Sequence, residues 1–121
     1  MKKSTLFGML FLGILSFAAQ AQKLYTYPIG AQGYTFRKHF PVDPIKTLDI
    51  IQGMGITELE TGGVKGLTLD EFKAQCDKRG ISIPSTGVNF DDLEKDLTQV
   101  IANAKTLGSK FIMCAWIPHK G

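Results

Sequence analysis

The chain has 121 residues and a formal charge of +3, with 14 Lys and Arg scattered among 11 Asp and Glu. Charge interleaved in this way argues against a nucleic-acid partner, which shows itself as a clustered basic face. The two cysteines, Cys76 and Cys114, and the two histidines supply neither a disulfide framework nor the ligand spacing of a zinc finger.

Residues 1–21 read as a secretory signal peptide. Lys2 and Lys3 form a basic start, residues 6–18 are apolar but too short to span a bilayer comfortably, and Ala19-Gln20-Ala21 is a small-x-small cleavage site. Cleavage would remove two lysines and no acids, taking the charge from +3 to +1 and leaving no membrane anchor. An exported protein meets an oxidising compartment, yet Cys76 continues an apolar helical stripe with Leu69 and Phe72, and Cys114 lies inside the run FIMCAWI. Both read as small buried hydrophobes rather than as a bridge.

After a lead-in over residues 22–28, residues 29–36 (IGAQGYTF) predict a first strand, whose glycines mark a place of close backbone approach. Asp43 is placed to cap a helix and Pro44 fits its first position. Ile45, Leu48, Ile51 and Met54 then form an apolar stripe, and Gly55 supplies the left-handed stop. Residues 56–60 predict a second strand whose parity puts Ile56, Glu58 and Glu60 on one face. Two acids about 7 Å apart on that face would raise one another's proton affinity if water were excluded.

The stretch TGGVKG that follows lacks the spacing of a phosphate-binding loop and reads as a flexible connection. Thr68-x-x-Glu71 is a capping box, with Leu67 and Phe72 at the positions of a hydrophobic staple. The helix runs to Gly80, and residues 81–86 predict a third strand made short or irregular by Pro84. Leu93, Leu97, Val100, Ile101, Ala104 and Leu107 mark one face of a third helix of about four turns, stopped at Gly108. Residues 111–117 predict a nearly continuous apolar fourth strand ending at Pro118.

The glycine stops at 55, 80 and 108 set an α/β repeat, β1-α1-β2-α2-β3-α3-β4, with parallel strands and right-handed crossovers. An uncovered apolar fourth strand invites aggregation, so residues 22–121 are expected to be an incomplete domain.

The run of IGAQGYTFR, MGITELE, CDKRGISIPSTG and AKTLGSKFIMCAWIP resembles the sugar phosphate isomerase/epimerase family, a xylose isomerase-like TIM barrel, in a secreted bacterial version. The resemblance implies the N-terminal half of an eight-stranded barrel with its site at the C-terminal strand ends. Gln32, Tyr34, Glu60, Ser85, Thr86 and Trp116 fall there. It matches Glu60 to the acid that commonly ends the second strand and can bond a sugar hydroxyl, and it makes Gln32, Tyr34 and Trp116 substrate-binding candidates, Trp116 as a flat wall against a sugar ring. No confident catalytic residue is assigned.

Ser85-Thr86-Gly87 stands where the family often has a histidine, a departure that weakens a family-like role for this strand. His119, beyond Pro118, reads as a loop residue. The resemblance also implies a divalent metal held by later strands, none of whose ligands lie in this chain, so that proton transfer between adjacent carbons belongs to the completed barrel and this segment alone is expected to be inactive. A noncatalytic periplasmic carbohydrate-binding barrel is the alternative. An endonuclease on a related barrel conflicts with export and with the near-neutral charge.

Overall fold

A computed structural model of the chain describes residues 26–120. The expected signal peptide and the first part of the lead-in lie outside those residues. In chain order the elements are β1 (Gly30–Gln32), a 3-10 turn (Gly33–Phe36), α1 (Pro44–Gly53), β2 (Glu58–Glu60), α2 (Leu69–Asp77), β3 (Ser85–Val88), α3 (Phe90–Lys95), α4 (Leu97–Leu107) and β4 (Phe111–Cys114). Strands alternate with helices, as the glycine stops predict.

All strand pairing is parallel. Gln32 stands opposite Glu60 in the β1–β2 pair, and Val88 opposite Cys114 in the β3–β4 pair. The two pairs are joined just ahead of β3. Ser82 bridges to Glu58, the Leu59 amide donates to the Ser82 carbonyl at 2.9 Å, and the Thr61 amide donates to the Ser85 carbonyl at 3.2 Å. The spatial order is therefore β1-β2-β3-β4; the third strand, expected over residues 81–86, is instead Ser85–Val88, with only the isolated Ser82 bridge ahead of Pro84, a residue with no amide to donate. The Pro84 carbonyl still accepts from the Lys110 and Phe111 amides, which sets where β4 begins.

Local capping explains where the helices start and stop. Asp43 accepts from the Lys46 amide at 2.9 Å. The Thr68 and Glu71 pair forms both halves of the capping box. Gly55, Gly80 and Gly108 all have positive φ, the conformation that a glycine after a helix enters at least cost.

The core lies between the sheet and the helices. Leu48 and Ile51 from α1, Leu59 from β2, Phe72 and Cys76 from α2, and Leu107 from α4 have no exposed surface. Each large apolar side chain buried in this way contributes about 1.5–3 kcal/mol. Phe40 stacks edge-on against Phe36 at 6.2 Å and against Phe72 at 6.1 Å, anchoring the segment after β1 to α2. Leu59 points into this core, so Glu58 and Glu60 share the opposite face of β2, as their parity predicts.

Four further expectations are corrected. The first strand ends at Gln32, because Gly33 brings its backbone against β2: a Cβ there would lie 3.0 Å from the Glu60 carbonyl oxygen and from the Thr61 Cβ. The chain turns there instead of extending. The single third helix is two, because Asp96 leaves the helical conformation (φ −153°, ψ 76°) and caps α4 by accepting from the Gln99 amide. Leu97 is consequently exposed, while Val100, Ala104 and Leu107 keep the buried stripe. The fourth strand ends at Cys114, because its partner β3 ends at Val88. Met54 is exposed rather than part of the α1 stripe, since it sits past the last helical residue.

Candidate functional site

The C-terminal ends of β1, β2 and β3 open onto a cleft of about 910 Å³. Gln32 and Glu60 are paired across the first two strand ends, and the Gln32 side-chain amide donates to Glu60 Oε1 at 3.0 Å. That bond orients the carboxylate toward one fixed partner, and Glu60 is only half exposed. Among the described residues no second protein partner engages either side chain. The other carboxylate oxygen is therefore available to accept from a ligand hydroxyl.

The 3-10 turn that replaces the end of the expected first strand carries Tyr34 into the cleft wall. Arg37 folds back over it, with the guanidinium carbon 4.5 Å from the ring centroid, and Nη1 donates to the Tyr34 carbonyl at 3.2 Å. Across the cleft runs the glycine-bearing loop after β2. Gly62 lies so close to β3 that a Cβ would sit 2.4 Å from the Gly87 carbonyl oxygen, and the Thr61 hydroxyl donates to the Gly63 carbonyl at 3.3 Å. The loop places Lys65 on the rim.

Thr86 lies on the cleft floor but is buried, and its hydroxyl donates to Ser109 Oγ, which in turn donates to the Ile83 carbonyl at 2.8 Å. Its role is to tie β3 to the turn before β4. Ser85 does not line the cleft; its carbonyl holds Thr61.

The structure does not bring Trp116 to the site. With β4 ending at Cys114, Trp116 follows in irregular chain, 64% exposed and absent from the cleft wall, its ring 6.4 Å from that of His119. Glu58 shares the face of Glu60 but sits at the opposite end of β2, beside Gly30 and outside the cleft, so the two acids do not form one site. His119 bonds only its own segment, with Nδ1 3.0 Å from the Ile117 carbonyl.

The far wall of the cleft is made of residues outside the sequence-predicted site. It includes Asp92 from α3, Gln99 and Asn103 from α4 and the capping residues Asn89 and Asp96, with Gln99 Nε2 donating to Asn103 Oδ1 at 2.8 Å. The signal was present: Asp92, Asp96, Gln99 and Asn103 recur at i, i+4, i+7 and i+11, a polar stripe beside the apolar one. Asp96 followed three residues later by Gln99 also has the form of a helix start.

Both cysteines are free thiols; Cys76 is buried as expected, whereas Cys114 is only half-buried, at the end of a strand with exposed neighbours. Burial pushes the Cys76 thiol up to about 11, with the neighbouring Asp77 charge adding to the shift. Hydrogen bonds from the Thr68 amide and hydroxyl hold the Glu71 carboxyl below its ordinary value. Neither group faces the cleft.

A divalent metal of the kind the resemblance implies needs several acidic or imidazole ligands in one place. Among the described residues no three His, Cys, Asp or Glu side chains cluster closely enough to hold a metal ion, so the residues present do not fit one. Among the described residues, no helix is long and apolar enough to cross a membrane.

No family model matches the chain, and no curated protein matches it. Among solved structures, it is similar to the crystal structure of a sugar phosphate isomerase/epimerase from Parabacteroides distasonis ATCC 8503, with a TM-score of 0.64 at 16% identity. The likeness covers 83% of this chain and 42% of that one, so the chain spans less than half the length of its structural relative. The parallel β/α order and the resemblance seen in the sequence are thus borne out as fold: the chain folds as a partial TIM-barrel-like α/β unit, similar to part of a sugar phosphate isomerase/epimerase.

Proposed function

We propose that this chain forms the N-terminal half of an exported sugar or sugar phosphate isomerase/epimerase-like barrel, in which Gln32 and Glu60 bind substrate hydroxyls at the barrel mouth. The observation that carries this reading is the Gln32–Glu60 hydrogen bond at the ends of two adjacent parallel strands, facing a cleft large enough for a small polyol. Ligands of β/α barrels sit at that end of the strands. A carboxylate already held at one oxygen needs little reordering to accept a hydroxyl at the other, which lowers the entropic cost of binding. The structural relative, a sugar phosphate isomerase/epimerase, supports the class. The basic and apolar start of residues 1–21 supports export.

In an isomerase or epimerase of this kind a proton leaves one carbon and returns to the same or an adjacent one. Gln32 and Glu60 would fix the hydroxyls flanking that carbon, and the proton-moving groups would come from later strands.

Calorimetric titration of the chain with hexoses and hexose phosphates tests the reading. Binding is expected, and Glu60→Gln should weaken it about tenfold or more, the loss of one charge-assisted hydrogen bond. Binding unaffected by Glu60→Gln and by Gln32→Leu would remove the mouth from the site. Turnover is measured separately, as exchange of a sugar C–H proton with deuterated water in a protein carrying all eight strands. Sugar binding without exchange there would favour a noncatalytic carbohydrate-binding barrel.

A further inference from the structure

The sugar-binding reading leaves unexplained why a guanidinium is fixed on the wall of the same cleft. Arg37 is exposed, yet it is not free to wander: it lies over the Tyr34 ring at 4.5 Å and spends one N–H on the Tyr34 carbonyl at 3.2 Å. An exposed arginine normally loses considerable rotamer entropy on gripping a ligand; here two contacts have already fixed it. Among the described residues the only ion pairs are Lys73–Asp77 and Arg79–Asp49, so no carboxylate neutralises Arg37 within bonding distance. The rest of its planar fork of donors is unspent, and that fork matches the paired oxygens of a phosphate or carboxylate. Gln32, at the end of β1, lines the same cleft and precedes this turn directly; Lys65 and Lys95 in the lining are matched there by Glu60, Asp92 and Asp96, so it is the fixed guanidinium, not the overall charge of the cleft, that distinguishes an anion.

We infer that Arg37, held on Tyr34, is the anion anchor of the cleft, selecting polyols that carry a phosphate or carboxylate group while Gln32 and Glu60 take their hydroxyls. This rests on the sugar-binding reading and adds a polarity to it: the charged end of the ligand lies toward the 3-10 turn, the neutral end toward β2. Tyr34 then acts as a positioning residue, keeping the guanidinium aimed.

The experiment is a calorimetric comparison of D-glucose, D-gluconate and D-glucose 6-phosphate on the full chain and on Arg37→Ala, Arg37→Lys and Lys38→Ala. Lys38 is an exposed neighbour outside the cleft wall, and its removal changes net charge equally. At least one anionic ligand is expected to bind more tightly than glucose. Arg37→Ala should abolish that preference, by about tenfold to a hundredfold, the loss of one or two charge-assisted hydrogen bonds. Arg37→Lys should retain part of it, and Lys38→Ala all of it. Whether the phosphate or the carboxylate compound binds more tightly identifies the anion.

Equal binding of glucose and both anions by the unaltered chain overturns the inference and leaves the sugar reading standing. So does an equal loss in Lys38→Ala, which would reduce the effect to general charge. If none of the three compounds binds, the sugar reading itself fails and the anchor with it.

Discussion

Gly62→Ala is the substitution whose cost can be worked most directly from the structure. A Cβ built on Gly62 falls 2.4 Å from the Gly87 carbonyl oxygen, whereas such contacts almost never lie closer than 3.0 Å. The loop after β2 must therefore retreat from β3 by at least about 0.6 Å, measured against that limit. The Thr61 amide bond to the Ser85 carbonyl, already 3.2 Å, is strained by the same movement. Overpacking of this kind costs about 1–3 kcal/mol. At about 4–8 °C per kcal/mol for a domain of this size, the midpoint of thermal unfolding should fall by roughly 5–20 °C. Gly87→Ala is the matched control, since its Cβ would meet nothing within 4 Å and its backbone needs no positive φ. Circular dichroism melts of the two variants and the parent chain make the comparison. If Gly62→Ala melts with Gly87→Ala and the parent, the close approach that seats Lys65 on the rim is wrong.

Thr68→Ala removes the side chain that accepts from the Glu71 amide and should destabilise by about 1 kcal/mol in urea unfolding. Gly53→Ala, at the end of α1 with open space around it, should stabilise by a few tenths of a kcal/mol up to about 1 kcal/mol in the same assay. The depressed Glu71 carboxyl contributes stability that is present above its ordinary value of 4.5 and is lost as pH falls through its lowered one; Glu71→Gln should flatten that part of the acid unfolding profile. Cys76, raised from 9.0 to about 11, works in the opposite direction: its contribution is complete below pH 9 and is lost as pH rises through about 11. Timed alkylation at pH 8 should accordingly modify half-exposed Cys114 well before buried Cys76.

What could be read from the sequence was what is decided locally. Asp43-Pro44, Thr68-x-x-Glu71 and the glycines at 55, 80 and 108 act within a turn of themselves, and all of them do in the fold what their chemistry predicts. Parity along β2 was equally local and put Glu60 on the correct face. Errors arose where an element's extent depends on a distant partner. Nothing in FIMCAWI says that pairing ends at Cys114, because that limit is set by Val88 twenty-six residues earlier. Apolarity alone therefore carried the fourth strand too far and took Trp116 with it. The first strand was overextended for a related reason: Gly33 is pressed against Glu60 and Thr61, a contact visible only once β2 is beside it. The polar wall from Asp92 to Asn103 has a readable helical period, but that period shares its helices with the stronger apolar stripe and does not say that the polar face borders a cleft.

The assignment of the cleft as a sugar site is tested most directly by mapping a hexose or hexose phosphate onto the backbone amides of the isotopically labelled chain by nuclear magnetic resonance. The amides of Gln32, Gly33, Tyr34, Thr61 and Gly62, which flank the Gln32–Glu60 pair, should shift on titration, while those of Ala74 and Gln75 on α2 should not. Shifts confined to the exposed segment around Trp116, with the strand ends unmoved, would contradict the assignment.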